Sequence, residues 1–387
     1  MRVLMLVWTG VATDTRVLRE AGALVGAGHT VHVVGRGVPA DWTPPDGVTV
    51  DSAGRPPAAQ TRGRELTAPE RLARWALLPT HVRRRLGRWQ AEAEELGRRA
   101  AAAAPFDVVH AHDFTALPVG ARLAGEWDVP LVYDTHEYWV GRPVEGRPAP
   151  LLRRREAALE DALGRRAAAV VTVGEGVAEA LRGDHPHWPV VTVVHNTFPA
   201  RTELPPPTSP PRAFVYAGRL AADRELEVIS AASRDLPGEV VLRGPADAEW
   251  LGRFDPGAAR VEPAAPLEVV DHELLSAGVA LVTHSDRWPN HRLAMPNKLF
   301  HAVSLGVPVL ATDVGELGKA VRRYGLGTTY RPGDAEDLVR AGRELVATHA
   351  AVAARVAAAR SELSWDADAG RLAGVYARLG GPAGPLH

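Results

Sequence analysis

The fold of this chain is indicated most clearly by the stretch HSDRWPNHRLAMPNKLFHAVSLGVPVLATD, residues 284–313. It follows an apolar run at 279–283, which is typical of a buried parallel strand, and it contains a second such run at 309–312. Between the two runs the sequence predicts a polar loop and then a helix from about Asn297 to Ser304. In a strand–loop–helix–strand unit the loop lies at the carboxyl edge of the sheet, where open α/β sheets bind ligands.

The loop of this unit has the composition of an anion site. Its polar side chains are Asn290, His291, Arg292, Asn297 and Lys298. The entrance of the following helix offers unpaired backbone N–H groups and the positive end of the helix dipole, and both favour a phosphate. We expect Asn297 to be the N-cap of that helix. The stretch therefore predicts a site for a diphosphate or a nucleotide sugar.

Length and composition limit the class of protein. A chain of 387 residues favours two domains. The formal net charge of −1 gives no overall attraction to nucleic acid, so no nucleic-acid partner is expected. The absence of cysteine excludes disulfides and thiolate metal sites. The first ten residues, MRVLMLVWTG, are typical of a strand and not of a signal peptide. No window approaches the ~18 uncharged apolar residues of a membrane span. We expect a cytoplasmic protein, with peripheral membrane contact left open.

Short apolar runs, each followed by a small polar cluster, recur through the first half of the chain. They lie at 3–7, 31–34, 48–50, 107–110, 130–134, 167–173 and 189–194. Such runs, separated mostly by helix-length stretches, predict a doubly wound parallel sheet with the polar clusters along one edge. Gly10 follows the first run and is expected either to meet a ligand or to make a tight turn before a helix.

A proline-rich segment at 199–212 divides the chain. Beyond it the apolar runs resume at 213–217, 239–242, 279–282 and 308–311. We therefore predict an N-terminal domain at 1–198 and a C-terminal domain at 213–363, both Rossmann-like. Two such domains are expected to face each other across a cleft that holds a small molecule.

Residues 69–104 predict a helix that is broken near Pro79. Its apolar stripe consists of Trp75, Leu78, Val82, Leu86 and Trp89. Arginines at 83–85 lie beside this stripe, so contact with an anionic membrane or an acidic acceptor through residues 69–100 is one interpretation. The other is a core-facing helix with a solvated basic face, and the glutamates at 92, 94 and 95 favour it.

Several segments, in this order and spacing, resemble the retaining glycosyltransferases of the GT-B fold, specifically the large bacterial glycosyltransferase family 4 (group 1). They are DTRV at 14–17, YDTH at 133–136, Asn196, YAGRL at 216–220, PNKLF at 296–300 and GVPV at 306–309. The resemblance implies an α/β protein with two facing Rossmann-like domains and an interdomain cleft. It also implies that the C-terminal helix, about 364–387, packs back on the first domain.

The activity that the resemblance implies is transfer of a sugar, with retention, from a UDP-, GDP- or dTDP-linked donor to an acceptor. Polysaccharide, glycolipid and secondary-metabolite biosynthesis remain open as pathways, and neither a cofactor nor a metal is implied. Without a metal, cations must stabilise the departing diphosphate. Lys298 and Arg219 are the candidates for this catalytic role, and Arg224 stands where the family usually has lysine.

The resemblance implies further contacts on both sides of the reaction. His136 would hydrogen-bond the donor sugar and stabilise the reaction centre, and Asp113 and Glu137 would join it on the acceptor side. The remaining donor-side candidates are Gly10, Gly244, His284, Asn290, Leu293, Ala294, Met295 and Asn297.

Two positions depart from the family pattern. The family has paired glutamates, one of which accepts hydrogen bonds from the ribose, and here Leu293 and His301 take their places. A neutral histidine can accept one such bond, so His301 is either a ribose contact or a plain helix-face residue. Asp366 and Asp368 match a D-x-D metal pair, but at a predicted helix start we expect a structural role for them.

Two other functions share these features. One is a non-hydrolysing sugar-nucleotide epimerase, which would need acid and base carboxylates positioned on the sugar. The other is a non-catalytic binder of nucleotide sugars, which the missing glutamate pair favours. A dinucleotide oxidoreductase is disfavoured because no G-x-G-x-x-G fingerprint follows a strand.

Overall fold

The computed structural model describes residues 1–39, 41–54, 68–142, 146, 148–222 and 224–380. The chain forms two compact units. The first contains Met1–Val173, Val177–Val194 and the C-terminal segment from Ala369, and the second contains Gly174–Gly176 and His195–Asp368. Residues 199–212, the proline-rich segment, belong to the second unit.

Most of the described strands lie on the apolar runs of the sequence. In chain order they are β1 (Arg2–Gly10), β2 (Thr30–Arg36), β3 (Val48–Ser52), β4 (Val108–His112), β5 (Leu131–Thr135), β6 (Ala169–Thr172), β7 (Val191–Val193), β8 (Ala213–Ala217), β9 (Glu239–Arg243), β10 (Arg260–Glu262), β11 (Gly278–Val282), β12 (Val309–Thr312) and β13 (Gly327–Tyr330).

The described helices alternate with these strands. They are α1 (Thr15–Gly26), α2 (Ala68–Ala103), α3 (Asp113–Trp127), α4 (Pro150–Gly164), α5 (Glu175–Asp184), α6 (Leu226–Ala232), α7 (Ala248–Leu251), α8 (Leu267–Ala277), α9 (Pro289–Leu293), α10 (Asn297–Leu305), α11 (Gly315–Tyr324), α12 (Ala335–Ala359) and α13 (Trp365–Leu379).

The first unit is built on a parallel sheet of seven strands in the order β3-β2-β1-β4-β5-β6-β7. Its central strands are buried on both faces: every residue from Val3 to Val7 is fully buried, and all of β4 and β5 are buried. Strands covered on both faces need continuous apolar runs, which is why the sequence predicted them well.

The second unit has a parallel sheet of six strands in the order β10-β9-β8-β11-β12-β13. Counted within the unit, this is the 3-2-1-4-5-6 order of a Rossmann fold. The order reverses between β8 and β11 here, and between β1 and β4 in the first unit. Open sheets of this kind bind ligands beyond the carboxyl ends of the strands at that reversal.

Three local predictions were wrong. Helix α2 runs without interruption through Pro79, because one missing N–H removes a single hydrogen bond and the turns on both sides are retained. The N-cap of α10 is Pro296, so Asn297 is the first helical residue and makes no cap. The loop before α10 contains the short helix α9, which begins with Pro289.

Within the described part of the chain, the helices are all too short or too polar to cross a bilayer. The polar, proline-containing composition of residues 54–64 predicts a loop, and this stretch lies mostly outside the described residues.

Candidate active site

Lys298 lies at the sheet reversal of the second unit, next to the turn that follows β8. Its Nζ atom lies 4.7 Å from the ring centroid of Tyr216. Its side chain passes directly over Gly218, where an added Cβ would lie 2.4 Å from the lysine Cε and 2.9 Å from Nζ. A side chain at 218 would push the end of the lysine away from this position, so the backbone turn and the cation form one arrangement.

The positive charges of Lys298 and Arg224 near this turn are not neutralised by nearby carboxylates among the described residues. Burial and the nearby Arg224 lower the pKa of Lys298 to about 8. Among the described residues, neither cation has a carboxylate within ion-pair distance. Arg224 is fixed by its backbone carbonyl, which accepts a hydrogen bond of 2.7 Å from the Thr283 hydroxyl at the end of β11. Two neighbouring, unneutralised cations in a partly dehydrated position are the electrostatic signature of an anion site.

His284 follows Thr283 at the same edge of the sheet and is buried. Burial, followed by Lys298, His291 and Arg224, lowers its pKa to about 3, so the ring is neutral at physiological pH. In the part of the chain that is described, neither ring nitrogen has a hydrogen-bond partner. A neutral imidazole offers one donor and one acceptor, which suits a sugar hydroxyl.

Arg219 does not lie in this charged group. Its side chain is largely exposed and its Nη2 lies 3.8 Å from Asp247 Oδ2. Its backbone carbonyl accepts a hydrogen bond of 3.0 Å from the Tyr216 hydroxyl, which fixes the turn. A catalytic role for the Arg219 side chain therefore stays a prediction, whereas the structure gives its backbone a clear positioning role.

Gly244, a donor-side candidate that the resemblance implies to lie near the nucleotide base, has a packing role that accounts for it. An added Cβ at this position would lie 1.9 Å from the carbonyl oxygen of Gly218. The ends of β8 and β9 can approach each other only because residue 244 has no side chain. Base contact at Gly244 remains a prediction.

Leu293, Ala294 and Met295 are expected from the resemblance to reach the donor through their backbone N–H groups. The N–H of Ala294 already donates to the Asn290 carbonyl at 2.9 Å and is not a free donor. Asn290 itself is buried in α9. Asn297 accepts a hydrogen bond of 3.1 Å from the side chain of Asn196. Leu293 ends α9 and Met295 packs against the core of the second unit, and the predicted backbone contacts of both stay untested.

His301 has a partner that sequence reasoning missed. Its Nε2 lies 2.6 Å from Oδ1 of Asp271 on α8, and its ring stacks on Phe198 with centroids 5.0 Å apart. The second oxygen of Asp271 lies 3.0 Å from Nη1 of Arg201. The contact with Asp271 occupies Nε2 and fixes the ring, which leaves Nδ1 as the nitrogen that a ligand could reach. The carboxylate that contacts residue 301 is thus Asp271 on α8, and no local motif could have indicated it.

A second cluster lies at the carboxyl ends of β4 and β5 in the first unit. Asp134 is fully buried and accepts hydrogen bonds of 2.9 and 2.8 Å from Arg16. Its Oδ2 also lies 3.2 Å from His112 Nδ1 and 3.3 Å from His136 Nε2. Burial alone would raise the pKa of Asp134, but Arg16 and then His136 hold it well below its usual range.

His136 lies between two carboxylates. Nδ1 is 3.3 Å from Oδ2 of Asp113, and Nε2 is 3.3 Å from Asp134. Burial opposes its charged form, but the two aspartates outweigh that effect and raise the pKa of His136 to about 9. Asp113 has a left-handed backbone with φ of 61°, an uncommon conformation that is typical of functional sites. With its pKa at about 9, His136 is mainly protonated at neutral pH, which disfavours a role as general base.

Glu20, His110 and Tyr376 extend this cluster into the core. Burial raises the pKa of Glu20 well above its usual range, against the effect of Arg16. Nδ1 of His110 lies 2.9 Å from the hydroxyl of Tyr376 on α13. Ligand atoms of Glu20, His110, His112 and Asp134 lie within 4.8 Å of one another. The Arg16 guanidinium, 3.0 Å from Glu20, already supplies the positive charge that a metal ion would bring.

Three other candidates have simple surroundings. Glu137 is half-buried and pairs with Arg142 at 2.9 Å. Gly10 ends β1, and an added Cβ there would meet nothing closer than 3.4 Å. Asp368 of the D-x-D match is fully buried and accepts hydrogen bonds from the Thr197 hydroxyl at 2.6 Å and the His195 N–H at 3.1 Å. Its carboxylate thus has a structural role.

Comparison with known proteins identifies the class. Residues 10–197 match the family described as glycosyl transferase 4-like domain. The glycogen synthase of Mycobacterium tuberculosis is 27% identical over 400 residues, which cover 95% of this chain and 91% of that protein. Sucrose-phosphate synthase from Thermosynechococcus elongatus has a similar structure, with a TM-score of 0.71 at 16% identity over 98% of this chain and 99% of that one. Anabaena HepE, solved with UDP-glucose, has a TM-score of 0.69 at 15% identity over 98% and 100%.

The two parallel sheets and these relatives define a glycosyltransferase of the GT-B fold, which confirms the fold class and the enzyme class expected from the sequence. Within that class, the match to the glycosyl transferase 4-like domain covers residues 10–197 and agrees with the group 1, family 4 type expected from the sequence.

Proposed function

We propose that this glycosyltransferase takes its sugar from a nucleoside diphosphate sugar, and that the second unit binds the diphosphate at Lys298 and Arg224. The observation that carries this proposal is the cation Lys298 beside Gly218, with Arg224 close to it and without a carboxylate partner for either among the described residues. UDP bound to HepE supports the same donor chemistry. UDP-, GDP- and dTDP-linked sugars are the donors to test.

The proposed reaction is a front-face substitution with retention and without a catalytic metal. The bond from the anomeric carbon to the β-phosphate oxygen breaks, and the acceptor oxygen bonds to the same face of that carbon. The acceptor proton passes to the departing phosphate oxygen. Lys298 and Arg224 stabilise the charge that develops on the diphosphate, as preorganised donors do in other enzymes.

Two histidines support this assignment of roles. His284 is neutral and offers both ring nitrogens, so we assign it to a donor sugar hydroxyl. His136 is cationic, which agrees with an electrostatic role near the reaction centre and not with proton abstraction. His301, fixed by Asp271 at Nε2, presents its Nδ1 where the family has its ribose-binding glutamate.

Donor hydrolysis and transfer assays test the proposal. Each nucleotide sugar is incubated with the enzyme and a panel of glycosyl acceptors, with and without EDTA, and product anomers are determined by NMR. We expect nucleoside diphosphate release that EDTA leaves unchanged, and a product with the donor's anomeric configuration. Epimerisation of the donor without acceptor would support the epimerase instead. Tight donor binding without turnover on any acceptor would support the non-catalytic binder.

A further inference from the structure

The second unit contains a cavity between one face of α6 and the residues that begin with α7. Its volume is about 540 Å³, and small-molecule sites have volumes of about 300–1,000 Å³. Its lining includes Glu227, Ala231, Trp250, Arg253, Phe254 and Asp255. The described lining residues include none of the candidate active-site residues, so the cavity is a separate feature of this unit.

Two stacked aromatic side chains form the apolar wall of this cavity. The ring centroids of Trp250 and Phe254 are 4.3 Å apart, with 25° between the ring planes. Nε1–H of Trp250 donates to Oε1 of Glu227 at 2.8 Å, which fixes the indole. On the α6 face, Ala231 has a side chain too small to fill the space. The aromatic wall is therefore preformed, and a ligand can pack an apolar face against it without rearrangement of the rings.

Charged side chains of both signs line the same cavity. Glu227 binds the indole through Oε1, and its Oε2 has no hydrogen-bond partner among the described residues. Oδ1 of Asp255 accepts from the Gly257 N–H at 2.9 Å, and Oδ2 has no partner in the described part of the chain. Nη2 of Arg253 lies 3.4 Å from Oε1 of Glu249. The cavity thus offers carboxylate acceptors and guanidinium donors beside an aromatic wall.

We propose that this cavity binds a neutral sugar unit of a glycan. The apolar C–H face of the sugar ring packs on Trp250 and Phe254. Its hydroxyls donate to Glu227 and Asp255 and accept from Arg253. The two carboxylates repel a simple anion and Arg253 repels an organic cation, so the mixture favours a neutral ligand that is rich in hydroxyls. A glycan held here stays at a raised effective concentration near the enzyme. This inference does not depend on the diphosphate site.

Titration of the full chain with sugars, followed by NMR on the indole N–H signals, tests this proposal. The probes are the methyl glycosides of glucose, galactose, mannose, rhamnose and N-acetylglucosamine, and Trp250→Phe assigns the signal of Trp250. We expect at least one glycoside to shift that signal, with a dissociation constant in the millimolar range that suits a small ligand with few contacts. Glu227→Gln and Asp255→Asn should each weaken binding about tenfold, because each loses a charge-assisted hydrogen bond. Ala231→Trp, which fills the cavity, should abolish binding.

Matched controls separate this site from a general effect on the protein. Glu268→Gln and Ala264→Trp make the same kinds of change at exposed positions outside the cavity lining, and both should bind glycosides as wild type does. UDP affinity, measured on the same proteins, should be equal in all of them, and its absence would count against the diphosphate site alone.

Two results would overturn the proposal. One is a Trp250 signal that no glycoside shifts, including the case in which choline or inorganic phosphate shifts it and the cavity is an ion site. The other is wild-type glycoside binding in both Glu227→Gln and Ala231→Trp, which would place the bound sugar elsewhere.

Discussion

The ammonium of Lys298 lies 4.7 Å from the ring centroid of Tyr216, and burial together with Arg224 lowers the pKa of the lysine to about 8. The ring supplies a weak attraction to the cation, worth about 0.5–2 kcal/mol in proteins. No described carboxylate completes the neutralisation. A diphosphate would remove this electrostatic cost, which gives the free protein a preformed affinity for that ligand.

The first prediction concerns the pH dependence of donor binding. Only the charged lysine attracts a phosphate, so UDP affinity should fall as the pH rises through about 8, the pKa of Lys298 in the free protein. In Lys298→Arg the guanidinium remains charged, and this pH dependence should disappear even if the affinity is lower. Calorimetric titration of both proteins between pH 6.5 and 9.5 measures the effect. Parallel pH profiles for wild type and the arginine variant would contradict it.

The second prediction concerns Gly218. In Gly218→Ala the new Cβ would meet the Lys298 Cε at 2.4 Å, so we expect a loss of about 1–3 kcal/mol in the free energy of unfolding and weaker UDP binding. Adding Lys298→Ala should restore the stability without restoring the binding. Urea denaturation of both variants measures this coupling. In the control Gly252→Ala the new Cβ meets nothing closer than 3.5 Å, and stability should change little. Additive losses in the double variant would argue against the contact.

The third prediction concerns His136. Its pKa is raised to about 9, so its contribution to stability is fully present below the unfolded value of about 6.5 and is lost as the pH rises through 9. The contribution is on the order of 3 kcal/mol. Urea denaturation should therefore show a gap between wild type and His136→Gln that is larger at pH 6.5 than at pH 9.5. In Asp113→Asn, NMR should show the pKa of His136 lowered toward its ordinary value. If the difference in unfolding free energy between wild type and His136→Gln does not change with pH, the ion pairing of His136 with its two aspartates is contradicted.

The fourth prediction explains why the family's glutamate is missing at 301. His301→Glu would place a second carboxylate against Asp271, at a contact that is now 2.6 Å. Like charges at that distance should destabilise the protein by roughly 1–3 kcal/mol at pH 7. Adding Asp271→Asn should recover most of the loss, and His301→Gln, which can still donate to Asp271, should lose less. Thermal unfolding of these three variants and of wild type tests the prediction. A His301→Glu protein as stable as wild type would rule out repulsion between residues 301 and 271.

The central strands of both sheets could be predicted from the sequence because they are buried on both faces. β8 was predicted with its observed ends, and most of the others within one or two residues. Strands β10 and β13 were missed. Their sequences, RVE and GTTY, contain no apolar run, and they become strands because each pairs with the edge of a sheet that already exists. Tertiary pairing overrides local composition at such edges.

The candidate site was predictable where its chemistry is local. Lys298 could be singled out from its motif and from its rarity in an arginine-rich chain. Asp271 and His301 are 30 residues apart, and Arg16 and Asp134 are 118 residues apart. No spacing rule connects such pairs, since only the packing of the helices onto the sheet brings them together.

The most direct test of the diphosphate site is calorimetric titration with UDP, GDP and dTDP, in EDTA, at pH 7. We predict that at least one nucleotide binds, and that Lys298→Met and Arg224→Gln each weaken it about tenfold or more, as the loss of a charge-assisted hydrogen bond of about 1.5–3 kcal/mol requires. Arg253→Gln, an exposed arginine elsewhere in the second unit, should bind as wild type does. Wild-type affinity in both Lys298→Met and Arg224→Gln, or no binding of any of the three nucleotides, would contradict the account.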